Sequence, residues 1–155
     1  MADLFGWRIT KEKHAKTAFS GEGARLFGGR WNSIGVSIVY CSEHLSLAVL
    51  EILVHTAPTL MKDRFRAYRI RFDERLVTSI AENRLTKGWD TQPPTVASQK
   101  VGDDWVKASR SAVLAAPSVL VPIERTLLLN PKHPDFAKIQ IKDMGTFRLD
   151  RRLKA

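Results

Sequence analysis

The stretch Gly28-Gly29-Arg30-Trp31-Asn32-Ser33-Ile34-Gly35 constrains this chain more than any other. Glycine has no Cβ, so it adopts positive φ and lets backbone or a ligand approach closely; glycines bracketing an arginine and a tryptophan build a loop suited to chemistry more than to packing. Directly after it Val36–Cys41 alternates, with Val36, Ile38 and Tyr40 on one face and Ser37, Val39 and Cys41 on the other, which predicts a strand with Tyr40 near its mouth. An apolar segment carrying Glu51 follows. A guanidinium, a phenol and a carboxylate thus fall within a short span. These are the groups needed to hold a phosphorylated, ribose-containing ligand and to stabilise a developing cation.

Ser42 is a good N-cap and Glu43 suits a helix N-terminus, so a helix is expected from about Glu43 to Ala57, stopping before Pro58. At helical spacing Leu45, Val49, Leu50, Ile52, Leu53 and Val54 form a wide apolar arc, and His44, Glu51 and His55 a narrow polar stripe. Glu51 then has two readings: an i,i+4 contact with His55 on a solvated stripe, or a carboxylate employed in a site. His44 lies about 10 Å along the axis from Glu51 at 1.5 Å per residue, too far for both to hold one metal ion.

Elsewhere, Phe5–Ile9 reads as a strand and Thr10–Phe19 as a polar helix or loop. Phe65–Phe72 reads as a strand with Tyr68, Ile70 and Phe72 opposite Arg69 and Arg71. Leu85–Gly102, with Pro93-Pro94, reads as an irregular loop, and Asp103 or Asp104 as the cap of a helix from Trp105 to about Ala115, ended by Pro117. Ser118–Ile123, Thr126–Leu129, Ile139–Ile141 and Thr146–Leu149 complete the strands. Strands without regular βαβ alternation predict an α+β fold: one compact domain over residues 1–155, with a central, mostly antiparallel sheet flanked by helices.

At 155 residues and 44% hydrophobic composition the chain can bury an adequate core. The lone Cys41 excludes an intramolecular disulfide and a multi-cysteine zinc site, and reads best as a buried strand residue. No apolar run approaches the ~18 residues of a membrane span and Met1-Ala2-Asp3-Leu4 lacks signal-peptide character, so a cytoplasmic protein is expected. The formal charge of +9, from 25 Lys+Arg against 16 Asp+Glu, suits nucleic acid, an anionic small molecule or an acidic partner. The basic residues are scattered through Lys11–Lys16 and Lys62–Arg75, and the dense Arg148–Lys154 cluster reads as a solvated terminal segment. No nucleic-acid recognition motif accompanies them.

Arg30 could grip a pyrophosphate bidentately or form a surface ion pair. No G-x-G-x-x-G opens a helix after a strand, so a dinucleotide fold of that kind is unsupported. Ser118 has no G-x-S-x-G elbow and reads on its own as a turn or strand-start serine. Trp7, Trp31, Trp89 and Trp105 read as core or cleft lining.

Taken together, these residues resemble the RES-domain family, toxins of bacterial RES–Xre toxin–antitoxin pairs. The resemblance runs through Trp7-Arg8-Ile9, Gly28-Gly29-Arg30-Trp31-Asn32 with Gly35, Tyr40, and Ser46-Leu47-Ala48 leading to Glu51. It continues through Gly102-Asp103, Trp105, Pro117-Ser118 with Val121-Pro122, and Asn130-Pro131 with His133-Pro134 and Phe136. The family's arginine, glutamate and serine match Arg30, Glu51 and Ser118. Thr126 departs from the family, whose members commonly carry asparagine there.

The resemblance implies a fold similar to ADP-ribosyltransferase toxins, with NAD+ as substrate and no metal. Glu51, Arg30, Tyr40 and Ser118 would form the catalytic group, and Arg8, Arg30, Tyr40, Trp31 and Ser118 would contact NAD+. It further implies an NAD+ glycohydrolase restrained by an Xre-family antitoxin carrying the helix-turn-helix, with no direct nucleic-acid or membrane contact by this chain. Alternatives are ADP-ribosyl transfer to a protein acceptor and, from another class, a basic nucleic-acid-binding module. Oligomeric state stays open, a homodimer included.

Overall fold

The computed structural model describes residues 2–55 and 62–153. Its strands are β1 (Asp3–Lys11), β2 (Val39–Ser42), β3 (Phe65–Asp73), β4 (Val77–Ser79), β5 (Val113–Pro117), β6 (Arg125–Leu129) and β7 (Gln140–Phe147). Among the described residues they form one seven-stranded sheet in the order β4-β5-β6-β2-β1-β3-β7. The β4–β5 pair is parallel and the other pairs are antiparallel. The helices are α1 (Glu22–Phe27), α2 (Leu45–His55) and α3 (Val96–Ala108). The expected α+β architecture is present. No helix among the described residues is long and apolar enough to cross a membrane.

The alternation around Tyr40 divides the core between the two sheet faces. Val39 and Cys41 join Ile70, Phe72, Val113, Leu127 and Leu129 on one side. Ile38 and Tyr40 pack on the other, with Trp31, Trp89, Trp105, Leu114 and Leu128. Burial pushes the Cys41 thiol up to about 12, as expected of an inert core cysteine. A separate cluster joins Ile9, Phe65 and Ala67 to Leu45, Ala48, Val49, Ile52 and Leu53 of α2. Trp7 pairs in register with Ser42, and Tyr40 with Leu128. Partners in register share a face, so α2 and α3 both cover the face that carries Tyr40.

Several element boundaries differ from the sequence reading. α3 begins at Val96, capped by Thr95, whose hydroxyl accepts from the Ser98 amide at 3.1 Å. The last seven residues of the expected loop Leu85–Gly102, from Val96 on, are therefore helical. Asp103 lies inside the helix, which ends at Ser109 in the left-handed region (φ 49°). Of the expected helix from Trp105 to Ala115 only the part up to Ala108 is helical, and from Val113 the chain is strand, because Val113–Pro117 is buried on both faces and such a run has no period to distinguish it from a helix. Ser118–Ile123 is a turn and not a strand. The two short strands expected at Ile139–Ile141 and Thr146–Leu149 are one, β7, with a bulge where its register against β3 shifts between Arg66 and Tyr68.

Within the 36–41 segment only Val39–Cys41 is strand, and β2 ends at Ser42. Ser42 thus closes a strand, and α2 starts at Leu45; its expected end at Ala57 lies outside the described residues. Leu50 and Val54, members of the apolar arc, are exposed at 42% and 61%. The stretch Arg151–Leu153 is an exposed turn, in line with a solvated terminus.

Candidate functional site

The sheet is joined between β1 and β2 by a single register pair, Trp7 with Ser42; elsewhere β1 pairs with β3 and β2 with β6. Arg8 occupies this split. Its Nη1 donates to the Tyr40 carbonyl at 2.8 Å and its Nε to the Ala18 carbonyl at 2.6 Å, so a side chain supplies donors that a neighbouring strand would otherwise offer. Over the split opens a cleft of about 910 Å³ between α2 and α3, lined by Trp7, Arg8, Arg30, Trp31, Tyr40 and Glu51 among others. The guanidinium, phenol and carboxylate singled out in the sequence share this one cavity.

The loop that carries Arg30 is rigid because its polar groups answer one another. Gly29 N–H donates to Asn32 O at 2.9 Å, closing a tight bridge. The buried Asn32 amide is a hub: Nδ2 donates to the carbonyls of Ala24, Ser33 and Val36 at 2.8, 3.1 and 3.0 Å. Its Oδ1 accepts from the Tyr40 hydroxyl at 2.6 Å, and the Tyr40 oxygen accepts from Trp31 N–H at 3.0 Å. A Cβ on Gly29 would lie 2.7 Å from that hydroxyl oxygen, so glycine is required where the loop meets Tyr40. Burial raises the Tyr40 pKa well above its ordinary value, which keeps the phenol neutral and able to donate. Trp31, 2% exposed, stacks on Trp89 with ring centroids 5.8 Å apart.

Arg30 is partly committed. Nη1 donates to the carbonyls of Trp89 and Thr91 at 2.8 Å each, and Nη2 to Oε1 of Gln92 at 3.0 Å. Nε–H and the second Nη2–H have no protein partner among the described residues, which leaves donors for an anion. Arg8 likewise keeps Nη2 without a protein partner among the described residues. Burial lowers the pKa of both guanidinium groups; for Arg30, attraction to Glu51 and Asp90 opposes it. Both remain cationic at neutral pH.

Glu51 makes the local contact of its first reading and also borders the cleft. His55 Nε2 lies 3.3 Å from its Oε2, the i,i+4 contact, and both residues line the cleft. The hydrogen bond to Glu51 raises the His55 pKa above its ordinary value. Thr126, the departure from the family pattern, pairs in register with Ser42, and both line the cleft.

Ser118 is placed differently from expectation. It is fully buried and does not line the cleft. Its Oγ accepts from the Leu120 and Val121 amides at 3.1 and 3.2 Å, which shapes the turn that brings Val119 and Leu120 to the cavity. The sequence reading also missed Asn32 as a hub and Gln99 and Asp103 as contacts to the loop. Asn32 was legible only as a motif member, and the helical spacing of Gln99, Gly102 and Asp103 was hidden because the first two fell in a segment read as loop and the third was read as a helix cap.

This architecture recurs in a chain of the M. tuberculosis MbcT–MbcA toxin–antitoxin complex, with a TM-score of 0.73 over 93% of this chain and 85% of that one. Identity is 18%, so the likeness is one of fold. Sequence carries the comparison further. The pattern of the RES domain matches residues 6–151. "Toxin Res" of Photorhabdus laumondii is 36% identical over 148 residues, 95% of each chain. A Sphingobium protein named "Prs ADP-ribosylating toxin" is 37% identical over 152 residues, 95% of this chain and 94% of its own. The chain belongs to the RES-domain family of toxins.

Proposed function

We propose that this chain is the toxin of a toxin–antitoxin pair and that it cleaves the nicotinamide–ribose bond of NAD+, passing ADP-ribose to water. The observation that carries this reading is the meeting of Arg8, Arg30, Tyr40 and Glu51 in one cleft. Nicotinamide leaves with the bonding electron pair as a neutral base, so positive charge develops on the ribose ring in an oxocarbenium-like transition state. Glu51 stabilises that charge and accepts a hydrogen bond from a ribose hydroxyl. Water adds to the anomeric carbon and loses a proton, giving ADP-ribose. The unpartnered donors of Arg30 and Arg8 hold the pyrophosphate. The Tyr40 hydroxyl is already engaged, so this residue offers its ring face to the nicotinamide. Ser118 acts on the cleft through its turn and not as a nucleophile, and Trp31 backs the wall behind Arg30.

Transfer of ADP-ribose to a protein side chain is the second reading, favoured by the name of the Sphingobium relative. Its first step is the same, and only the group that captures the cation differs. Purified protein incubated with adenine-labelled NAD+, alone and with lysate, separates the two. Free nicotinamide and labelled ADP-ribose without added protein support hydrolysis; label retained in a discrete protein band supports transfer; intact NAD+ in both overturns the reading. An antitoxin of the Xre type would restrain the activity by covering the cleft, and the positive charge of the chain would draw in both NAD+ and an acidic antitoxin surface.

A further inference from the structure

We propose that Asp103 is a positioning residue for Arg30: α3 grips the arginine loop at both ends, and Asp103 makes the decisive grip. This rests on the NAD+-cleavage reading and adds a residue that does not line the cleft. Gln99, Gly102 and Asp103 are spaced i, i+3, i+4 and share one face of α3. Gln99 Nε2 donates to the Gly29 carbonyl at 3.1 Å. At Gly102 the Trp31 carbonyl oxygen sits 1.7 Å from where a Cβ would be, so the loop backbone lies directly on the helix. Asp103 takes the other end with both carboxylate oxygens: Oδ1 accepts from Ser33 N–H at 3.0 Å and Oδ2 from Ser33 Oγ at 2.6 Å.

Gly29 and Ser33 bracket Arg30 and Trp31, so the backbone that launches the guanidinium is pinned on both sides. The Asp103 contacts are the charge-assisted ones in this set and the strongest per bond. Without them the Ser33 end is detached from α3 and held only by bonds within the loop, so more of the cost of ordering Arg30 falls on substrate binding. Arg30 holds phosphates equally in ground and transition states, so the loss falls on KM and leaves kcat.

The test is steady-state nicotinamide release by the full chain and its variants, with melting curves as the fold control. Asp103→Ala is expected to raise KM for NAD+ about 10-fold with kcat within about 2-fold. Asp103→Asn, which keeps one acceptor and the shape, and Ser33→Ala, which keeps the backbone bond, are each expected to raise it about 3-fold. Combined with Arg30→Ala, Asp103→Ala adds no more than about 2-fold, because both act through one group.

An unchanged KM in Asp103→Ala, or a penalty that multiplies in full with Arg30→Ala, overturns the proposal. Should Asp103→Ala fail to fold, Ser33→Ala at wild-type KM overturns it. If the wild type releases no nicotinamide, it is the NAD+ reading that fails. Amide hydrogen exchange over residues 29–33 then reads the grip itself. Faster exchange there in Asp103→Ala, with β1 unchanged, upholds it, and equal exchange overturns it.

Discussion

The two walls of the cleft are built on different terms. In the wall formed by residues 28–35, Asn32, Tyr40, Gln99 and Asp103 tie the backbone at successive points, and the Arg30 head is tied across to residues 89–92. In the opposite wall α2 presents Glu51 with the exposed His55 as its one ion-pair partner among the described residues, and Leu50 and Val54 are exposed. A wall that binds phosphates gains from rigidity, because geometry fixed in advance costs nothing at the moment of binding. A carboxylate that stabilises a charge present only during bond cleavage must not be neutralised by a strong permanent partner. On the proposed function, the braced wall binds the phosphates and the sparse one stabilises the charge.

The braced wall breaks most severely at Gly102. In Gly102→Ala the new Cβ meets the Trp31 carbonyl, a backbone atom with no room to yield. A loss on the order of 4 kcal/mol in stability, read by chemical denaturation, is expected. Tyr40→Phe sharpens the comparison by leaving Asn32 Oδ1 without its donor and Trp31 N–H without its acceptor. It should cost about 2 kcal/mol in the same measurement. Both values belong to a wall held by close backbone packing and connected hydrogen bonds.

The sparse wall gives the smallest effect. The His55 pKa is raised by Glu51, so the pair stabilises the fold fully below the ordinary histidine pKa, and the contribution is lost as pH rises through the folded value. His55 is largely exposed, so a melting scan from acid to neutral pH should show a decline of about 1 °C or less, absent in His55→Gln. A decline of the size expected for Tyr40→Phe would place His55 in a braced wall after all.

How much was legible from the sequence follows the same division. The alternation of Val36–Cys41 showed which residues face each side of the sheet, and the helical spacing of Glu51 and His55 gave their contact, since both signals are local. α3 was misread because its cap is Thr95, far upstream of the aspartates that looked like caps. Asp103 was polar for a partner 70 residues away in sequence and not for its own helix. Val113–Pro117 lost its signature by being buried on both faces. Arg30, Tyr40 and Glu51 were singled out by residue type and Arg8 by the resemblance, and the four line one cleft. Ser118 read on its own as a turn serine, which its bonds to the Leu120 and Val121 amides match; its place in the catalytic group came from the resemblance alone.

The central claim is that Glu51 stabilises a ribose cation across from arginines that hold the rest of NAD+. The direct measurement is nicotinamide release by purified wild type and Glu51→Gln, with melting curves taken on both. The account predicts a fall in kcat of at least about 100-fold, with KM within a few-fold and the melting temperature nearly unchanged. Turnover by Glu51→Gln at the wild-type rate, or a loss of activity that merely follows a loss of fold, would contradict it.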